Sequence, residues 1–398
     1  MIDEFQDFNP LEVAFIDELQ KKGPVLIVGD DDQAVYSRRN SSPEYIRAMF
    51  ESGEYETFEL PYCSRCPRVV VDAVSSFIDA VVAAGGLAHR IDRPFVPFLD
   101  DKEYENRTYP KIISANASTI ACMAKLVVLG IDRIPEDDIA EAHREGYPCV
   151  LIVGQRQYLN PLKKRLTNEY DNVAFKQASG REYAIADGYA ILRSDGDSNL
   201  GWRLIAGIEL PAGEMAEVIE RSMDGSPFVT LLPRYFIEKH TSVLEILRKD
   251  GLSDADQETL FETLADEAEV VIRRFFAEEE DEDEPDESQP SILLSSFEGC
   301  KGLSAGHVFI VGLNNDVMPQ IASSSEVSDI EISKFVVAMT RARKLLYLLS
   351  NRSDYGPRSS KYDPSMFIDM IPGEFRSHLG YVKSEDAEAL IDAAWTSA

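Results

Sequence analysis

The sequence is poor in cysteine, with 5 in 398 residues, two of them together in "CSRC". So few cysteines exclude a disulfide framework and point to a reducing compartment. Long apolar runs are missing as well. The best, "VVVDAVSSFIDAVVAAGGLA", is broken by Asp72 and Asp79 and predicts a packed helix, not a membrane span. Positive charge is scarce: 40 Lys and Arg stand against 70 Asp and Glu, a net charge of −30. That excludes a uniformly basic nucleic-acid binder, although a local basic groove is compatible with solvating acid elsewhere. The N-terminus is acidic where a secretory signal needs a basic region, so a cytoplasmic location without a membrane partner is expected. The 5 histidines are scattered and suggest no catalytic cluster, and there is no internal repeat.

The length allows two or three domains. Residues 24–29, "PVLIVG", form an apolar run ending in glycine and then "DDDQ", the pattern of a buried parallel strand with polar residues at its C-terminal end. Before it, residues 10–22 have helical spacing, with Leu11, Phe15, Ile16 and Leu19 on one side. An acidic loop, a helix, a strand and a second acidic loop therefore follow one another, as in open α/β sheets that bind ligands at strand ends. A further helix is expected over 67–84, opened by Pro67. Near residue 110 a second unit begins, with "PKIISA" and "PCVLIVG" as strands around a helix at 116–130, and "NPLKKRLTNEY" as the next helix. From about 205 to 276 the character is helical. There Ser253 and Asp256 form a capping pattern ahead of Leu260, Leu264, Val271 and Phe275 on one face. The block "AEEEDEDEPDESQP" predicts a self-repelling linker. After it, "SILLSSFEGCKGLSAGHVFIVG" returns to strand–loop–strand, and "EISKFVVAMTRARKLLYLLS" to a helix running into a strand.

Three stretches carry chemistry. In "DEFQD", Asp then Glu at a strand end suits a magnesium nucleotide site, the Asp holding metal and the Glu taking a proton from water; an isolated "DE" is also an ordinary solvated loop. In "VGDDDQAVYSRRN", Gln33 offers an amide to a phosphate, and Tyr36 beside Arg38 and Arg39 can stack a base and neutralise a nucleic-acid backbone; the plain alternative is a polar turn. "CSRC" has the spacing of half a zinc site or a redox pair, but no second CxxC or paired histidine completes four ligands and no thioredoxin-like context surrounds it.

Taken in order, "DEFQD", "GDDDQAVYSRR", "SRCP", "SSFEGCKGLSAGHVFIVG" and "AMTRARK" resemble motifs II, III, IV, V and VI of the UvrD/Rep/PcrA-like DNA helicases of superfamily 1. The closing "RSDYGPRSSKYDPSMFIDMIP" resembles that family's tail. The likeness runs from Asp3 to about Pro372. It implies an α/β fold of the P-loop NTPase type: part of a first RecA-like motor domain at 1–92, and a second RecA-like domain at 93–204 and 291–380. A helical insertion and acidic linker would fill 205–290, with a tail at 381–398. It implies ATP and Mg2+ as cofactors, single-stranded and duplex DNA as partners, and unwinding coupled to 3′–5′ translocation.

Carried over by position, Asp3 and Glu4 would hold magnesium, with Glu4 polarising the attacking water. Gln33 would contact the terminal phosphate, and Arg65 and Arg341 would approach it as arginine fingers. Lys301 and Gly302 would belong to the loop between nucleotide and DNA, and Tyr36, Arg38, Arg39 and Ser296 would face DNA. Cys66 then packs behind Arg65. Departures are informative: the family's tryptophan after the motif III tyrosine is Arg38 here, and its motif V histidine is Glu298, a carboxylate expected to repel DNA. The glutamate that usually follows Lys-Gly-Leu is Ser304.

No G-x-x-x-x-G-K-[ST] run occurs in the 398 residues. In the family this run lies upstream of motif II, and the strand that would carry Asp3 is reduced to Met1 and Ile2. The expectation is therefore the C-terminal portion of such a helicase, inactive alone, whose partner would be the missing N-terminal half. The alternatives are a non-catalytic DNA-binding or regulatory module derived from one, and an unrelated magnesium-dependent hydrolase.

Overall fold

The computed structural model describes residues 1–35, 41–98, 111–176, 180–222, 226–249, 251–264, 267–276, 288–320, 327–354 and 361–396. Two compact units result: Met1–Ala178 with Pro285–Ala398, and Ser179–Glu284. The first is built on a seven-stranded sheet. Its strands lie in the order Val173–Lys176, Ile292–Ser295, Val150–Val153, Ala305–Val311, Ala342–Asn351, Ile112–Ala117 and Arg376–Val382, and every pairing is parallel.

A central parallel strand is apolar throughout because helices cover both faces, and Ala305–Val311 is buried along its whole length. Side chains alternate between two cores. Val150, Ile152, Phe309, Tyr347 and Leu349 enter one; Leu151, Val153, Val308, Leu346 and Leu348 enter the other. Helix Ile120–Ile131 packs on the first core and is started by the Thr119 hydroxyl, which accepts from Cys122 N. Helix Arg68–Ala83 and helix Asp329–Met339 pack on the second. The last helix, Ala387–Thr396, closes the first core with Ala387, Ile391 and Ala394.

At the N-terminal end the apolar run 24–29 differs from expectation. It forms a single parallel bridge, Ile2 to Ile27, held by Ile2 N to Leu26 O and Val28 N to Ile2 O, both 2.8 Å. Leu26 is 57% exposed. An apolar strand is buried only where neighbours flank it, and here one short segment does so. The helix before it also turns differently. Asn9 and Glu12 form a full capping box and Pro10 opens helix Pro10–Gln20. Val13 and Ile16 face a small core around Phe5, whereas Leu11 is 80% and Phe15 62% exposed, with Leu19 beside them.

The second unit is helical. The sequence puts the change of character near 205; helices Gly180–Ser194 and Asn199–Glu209 precede and span that point. The Ser253/Asp256 pattern is a reciprocal cap: Asp256 N donates to Ser253 Oγ at 3.2 Å and Ser253 N to Asp256 Oδ2 at 3.3 Å. Leu260, Leu264 and Val271 are buried in this unit's core. No helix among the described residues is long and apolar enough to cross a membrane.

Candidate nucleotide-facing site

The two acidic loops and the 296–304 and 340–341 segments meet in the sheet-bearing unit. Glu4 has a left-handed backbone, φ 54 and ψ 37, uncommon for a residue with a side chain. Its N–H donates to Asp3 Oδ1 at 2.8 Å, and both residues are exposed. Gln6, fully buried, braces the two loops: its Nε2 donates to Glu4 Oε2 at 2.6 Å and its Oε1 accepts from Asp30 N at 3.0 Å. Gly29 allows that approach, since a Cβ there would lie 2.7 Å from Gln6 Oε1 and 2.7 Å from Ile46 Cδ1. Gly29→Ala is therefore expected to cost about 1–3 kcal/mol in urea unfolding, as overpacking does; a smaller loss would show that Gln6 moves freely.

Lys301 crosses between segments far apart in the chain. Its ammonium donates to Asp7 Oδ2 at 2.5 Å and to the Gln33 carbonyl at 3.0 Å, and lies 3.1 Å from Glu4 Oε2. Burial works to raise the Glu4 carboxyl, but Lys301, Gln6 and Arg341 outweigh it and hold the group below its ordinary range. Next to Lys301, Gly302 turns the loop at φ 78, open to glycine at no steric cost.

Arg341 is 2% exposed. It donates to Val337 O at 2.7 Å, Thr340 Oγ1 at 3.0 Å, Leu303 O at 3.2 Å and Gln33 Oε1 at 3.5 Å. Arg65 donates to the Thr340 carbonyl at 3.3 Å. Burial first, and then the like charge of Arg65, lower the Arg341 pKa. Two guanidinium groups so placed favour an anion between them. Gln33 is steadied by Asp30, whose Oδ2 accepts from its Nε2 at 2.7 Å. A cavity of about 250 Å3 opens here, lined by Asp30, Gln33, Tyr62, Cys63, Arg65 and Thr340 among others.

The structure thus brings together Glu4, Gln33, Arg65, Lys301 and Arg341, with Asp3 adjoining Glu4. Tyr36, Arg38 and Arg39 lie outside the described residues. Ser296 is on the same loop as Lys301, where its Oγ accepts from Gly299 N at 3.0 Å. Glu298 is turned to Lys334, 2.8 Å away, which offsets the repulsion expected of a bare carboxylate. Ser304 accepts from Arg343 Nε at 3.3 Å.

Sequence reasoning missed Gln6, Asp7 and Asp30, although all three sit inside the quoted motifs. It also missed Arg47, Arg90 and Arg93, which pair with Asp31 and Asp32. The carboxylate oxygens of Asp30, Asp31 and Asp32 lie within 4.8 Å of one another, but guanidinium groups occupy the cluster, which therefore does not fit a metal. Asp3 and Glu4 are exposed carboxylates of the kind magnesium takes one or two of, keeping its remaining positions for water and phosphate, although Lys301 and Gln6 already engage Glu4 Oε2.

Comparison with known proteins is consistent with this geometry. Residues 1–52 match the UvrD/REP helicase N-terminal domain, and residues 247–353 the UvrD-like helicase C-terminal domain. "DNA helicase II" of Escherichia coli (strain K12) is 24% identical over 427 residues, covering 94% of this chain and 59% of the relative. "ATP-dependent DNA helicase PcrA" of Staphylococcus epidermidis is 35% identical over 107 residues, 25% of this chain and 14% of the relative. The chain spans about three-fifths of the length of the relatives it matches end to end. An ordered motif set, a parallel sheet and two matching helicase domain models together support a likeness of this chain to the UvrD/Rep/PcrA-like helicases.

Proposed function

We propose that this chain carries the hydrolysis-sensing and DNA-tracking parts of an ATP-dependent, 3′–5′ DNA helicase. Residues 1–92 would belong to one RecA-like motor domain, and 93–204 with 291–380 to the second. The observation that carries the reading is the pair Arg65 and Arg341, like charges held beside Gln33 with the Arg341 pKa lowered. Magnesium bound by Asp3 and Glu4 would offset charge on the terminal phosphates. Glu4 would orient the attacking water and take its proton, and Gln33 would register the terminal phosphate. The two arginines would stabilise the charge that develops on it. Lys301 would pass the change from the Glu4 loop to the 296–304 loop, where Ser296 would face DNA along with Tyr36, Arg38 and Arg39.

The 398 residues contain no phosphate-cradling G-x-x-x-x-G-K-[ST] run, so turnover is assigned to these residues together with a segment that supplies one. The exposure of Leu11, Phe15 and Leu19 along one side of helix Pro10–Gln20, and of Leu26 beside the single bridge, supports a further segment covering them.

The test is direct. Alone, this chain is expected to show no DNA-stimulated ATP turnover, and weak binding to single-stranded oligo-dT that falls steeply with salt. Robust hydrolysis abolished by Glu4→Gln would overturn the need for such a segment. Absence of oligo-dT binding at low salt would overturn the DNA track. DNA binding indifferent to ATP and magnesium would favour a non-catalytic DNA-binding module.

A further inference from the structure

The "CSRC" turn has a chemistry that the nucleotide reading does not use. Cys66 is buried and donates its thiol hydrogen to the Thr340 carbonyl at 3.3 Å, the oxygen that Arg65 also contacts. Cys63 is half-buried and lines the cavity beside Arg65. Cys63 and Cys66 stand three residues apart in one turn, and Cys66 is the largest single influence on the Cys63 thiol. The turn leads directly into helix Arg68–Ala83, whose cap is Pro67. One reachable sulfur, a second buried three residues on in the same turn, and the Arg65 guanidinium lining the same cavity are the ingredients of a thiol switch.

We propose that Cys63 and Cys66 form a peroxide-responsive pair, with Cys63 the attacking sulfur and Cys66 the resolving one, closing a disulfide around Arg65 at the mouth of the cavity. The Cys63 thiolate attacks one oxygen of hydrogen peroxide; the O–O bond breaks, and hydroxide leaves and is protonated to water. Cys63 is now a sulfenic acid. The Cys66 thiol gives up its proton and attacks the Cys63 sulfur; the S–O bond breaks and the hydroxyl leaves as water with that proton. Peroxide is reduced by two electrons and the two thiols are oxidised by two.

The environment favours this division of labour. The neighbouring Cys66 first, with the backbone of the turn and the Arg65 charge, outweighs burial and holds the Cys63 thiol down at about 6. The Cys63 sulfur first, and then burial, push Cys66 the other way. Oxidation removes the proton that Cys66 gives to Thr340 and ties Arg65 inside a short ring. A transient disulfide of this kind is compatible with a reducing compartment, where such bonds are redox-sensing and not structural.

The experiment treats the 398-residue chain with equimolar hydrogen peroxide, unfolds it under alkylation and reads the cysteine peptides by mass spectrometry. Cys63 and Cys66 are expected to be joined, short of two hydrogens and unalkylated, while Cys122, Cys149 and Cys300 are alkylated. Cys66→Ser should stop at a Cys63 sulfenic acid that dimedone captures, and Cys63→Ser should leave Cys66 reduced. The rate of Cys63 loss should change less than about twofold between pH 7 and 9, where an ordinary thiol speeds up more than about tenfold. Oxidation spread evenly over the five cysteines, Cys66 reacting without Cys63, or a steep pH profile would each overturn the proposal. None of these readouts involves nucleotide, so they stand apart from any test of the helicase reading.

Discussion

Replacing Arg93 with alanine is expected to lower the unfolding free energy of the sheet-bearing unit by about 3–5 kcal/mol, the loss typical when one partner of a buried charge pair is removed. Arg93 contacts Asp30, Asp31 and Asp32 at once, and Asp31 and Asp32 are nearly inaccessible to water. Arg47 also holds Asp31 at 2.9 Å, and Arg90 holds Asp32 at 2.9 Å. Without Arg93, three carboxylates share two guanidinium groups in a place where water cannot compensate.

The deficit should depend on pH in a definite direction. Burial first, and then the neighbouring carboxylates, already push Asp32 up to about 6 against the pull of Arg93 and Arg90. A carboxyl whose folded pKa is raised binds its proton more tightly folded than unfolded. Its contribution is complete below its ordinary value near 4 and is lost as pH rises through the folded value. Removing Arg93 raises that value further, so through Asp32 both proteins lose stability alike up to about pH 6, and the cost of Arg93→Ala should grow above it. Asp31 acts oppositely: its pKa is lowered, so its stabilisation is present above its ordinary value and is lost as pH falls through the folded one. Urea midpoints of the two proteins across this range, at unchanged slope, read the difference. A deficit that is flat with pH would show that Asp32 stays ionised throughout.

Much of the fold was readable because its signals are local. The runs at 112–117, 150–153, 292–295 and 305–311 are mostly apolar and are buried on both faces, as covered parallel strands are. The Ser253/Asp256 and Asn9/Glu12 caps are three residues long and legible in place. What failed was burial that depends on neighbours. "PVLIVG" has the composition of a core strand, yet burial is set by what lies alongside, and one bridge does so.

The site divides in the same way. The readings of Asp3, Glu4 and Gln33 rest on their positions in short acidic motifs. The contacts that set their charge are separated by hundreds of residues: Lys301 reaches Asp7 and Glu4, and Arg341 reaches Gln33. Spacing carries no record of these. The arginines around Asp31 and Asp32 were inferable in kind, since two buried carboxylates require cationic partners. Which arginines they are follows only from the fold. "CSRC" shows the limit in a single turn: Cys66 packs behind Arg65 as its neighbours suggest, while the cavity-facing position of Cys63 belongs to tertiary structure.

Arg341→Met should separate function from stability. Its unfolding free energy is expected to stay within about 1.5 kcal/mol of the parent, because the lost hydrogen bonds are offset when a buried charge is replaced by a flexible apolar chain of similar length. The lowered pKa of Arg341 records that its charge is held at a cost. Phosphate binding should suffer far more. Magnesium tripolyphosphate at ten times its Kd stabilises a folded protein by about 1.4 kcal/mol. Loss of one charge-assisted contact, about 2 kcal/mol or a thirty-fold change in affinity, reduces that to about 0.2 kcal/mol. The ligand-induced rise in Tm should therefore nearly vanish in the variant, while the ligand-free Tm moves by no more than about the parent's own ligand shift. Arg341→Lys should resemble Arg341→Met in binding, since an ammonium cannot reproduce the fork that spans Val337, Leu303, Thr340 and Gln33. The opposite pattern, a fall of more than about 3 kcal/mol in stability with the ligand shift intact, would make Arg341 a strut of the 296–304 loop and leave Arg65 as the only phosphate-facing arginine proposed.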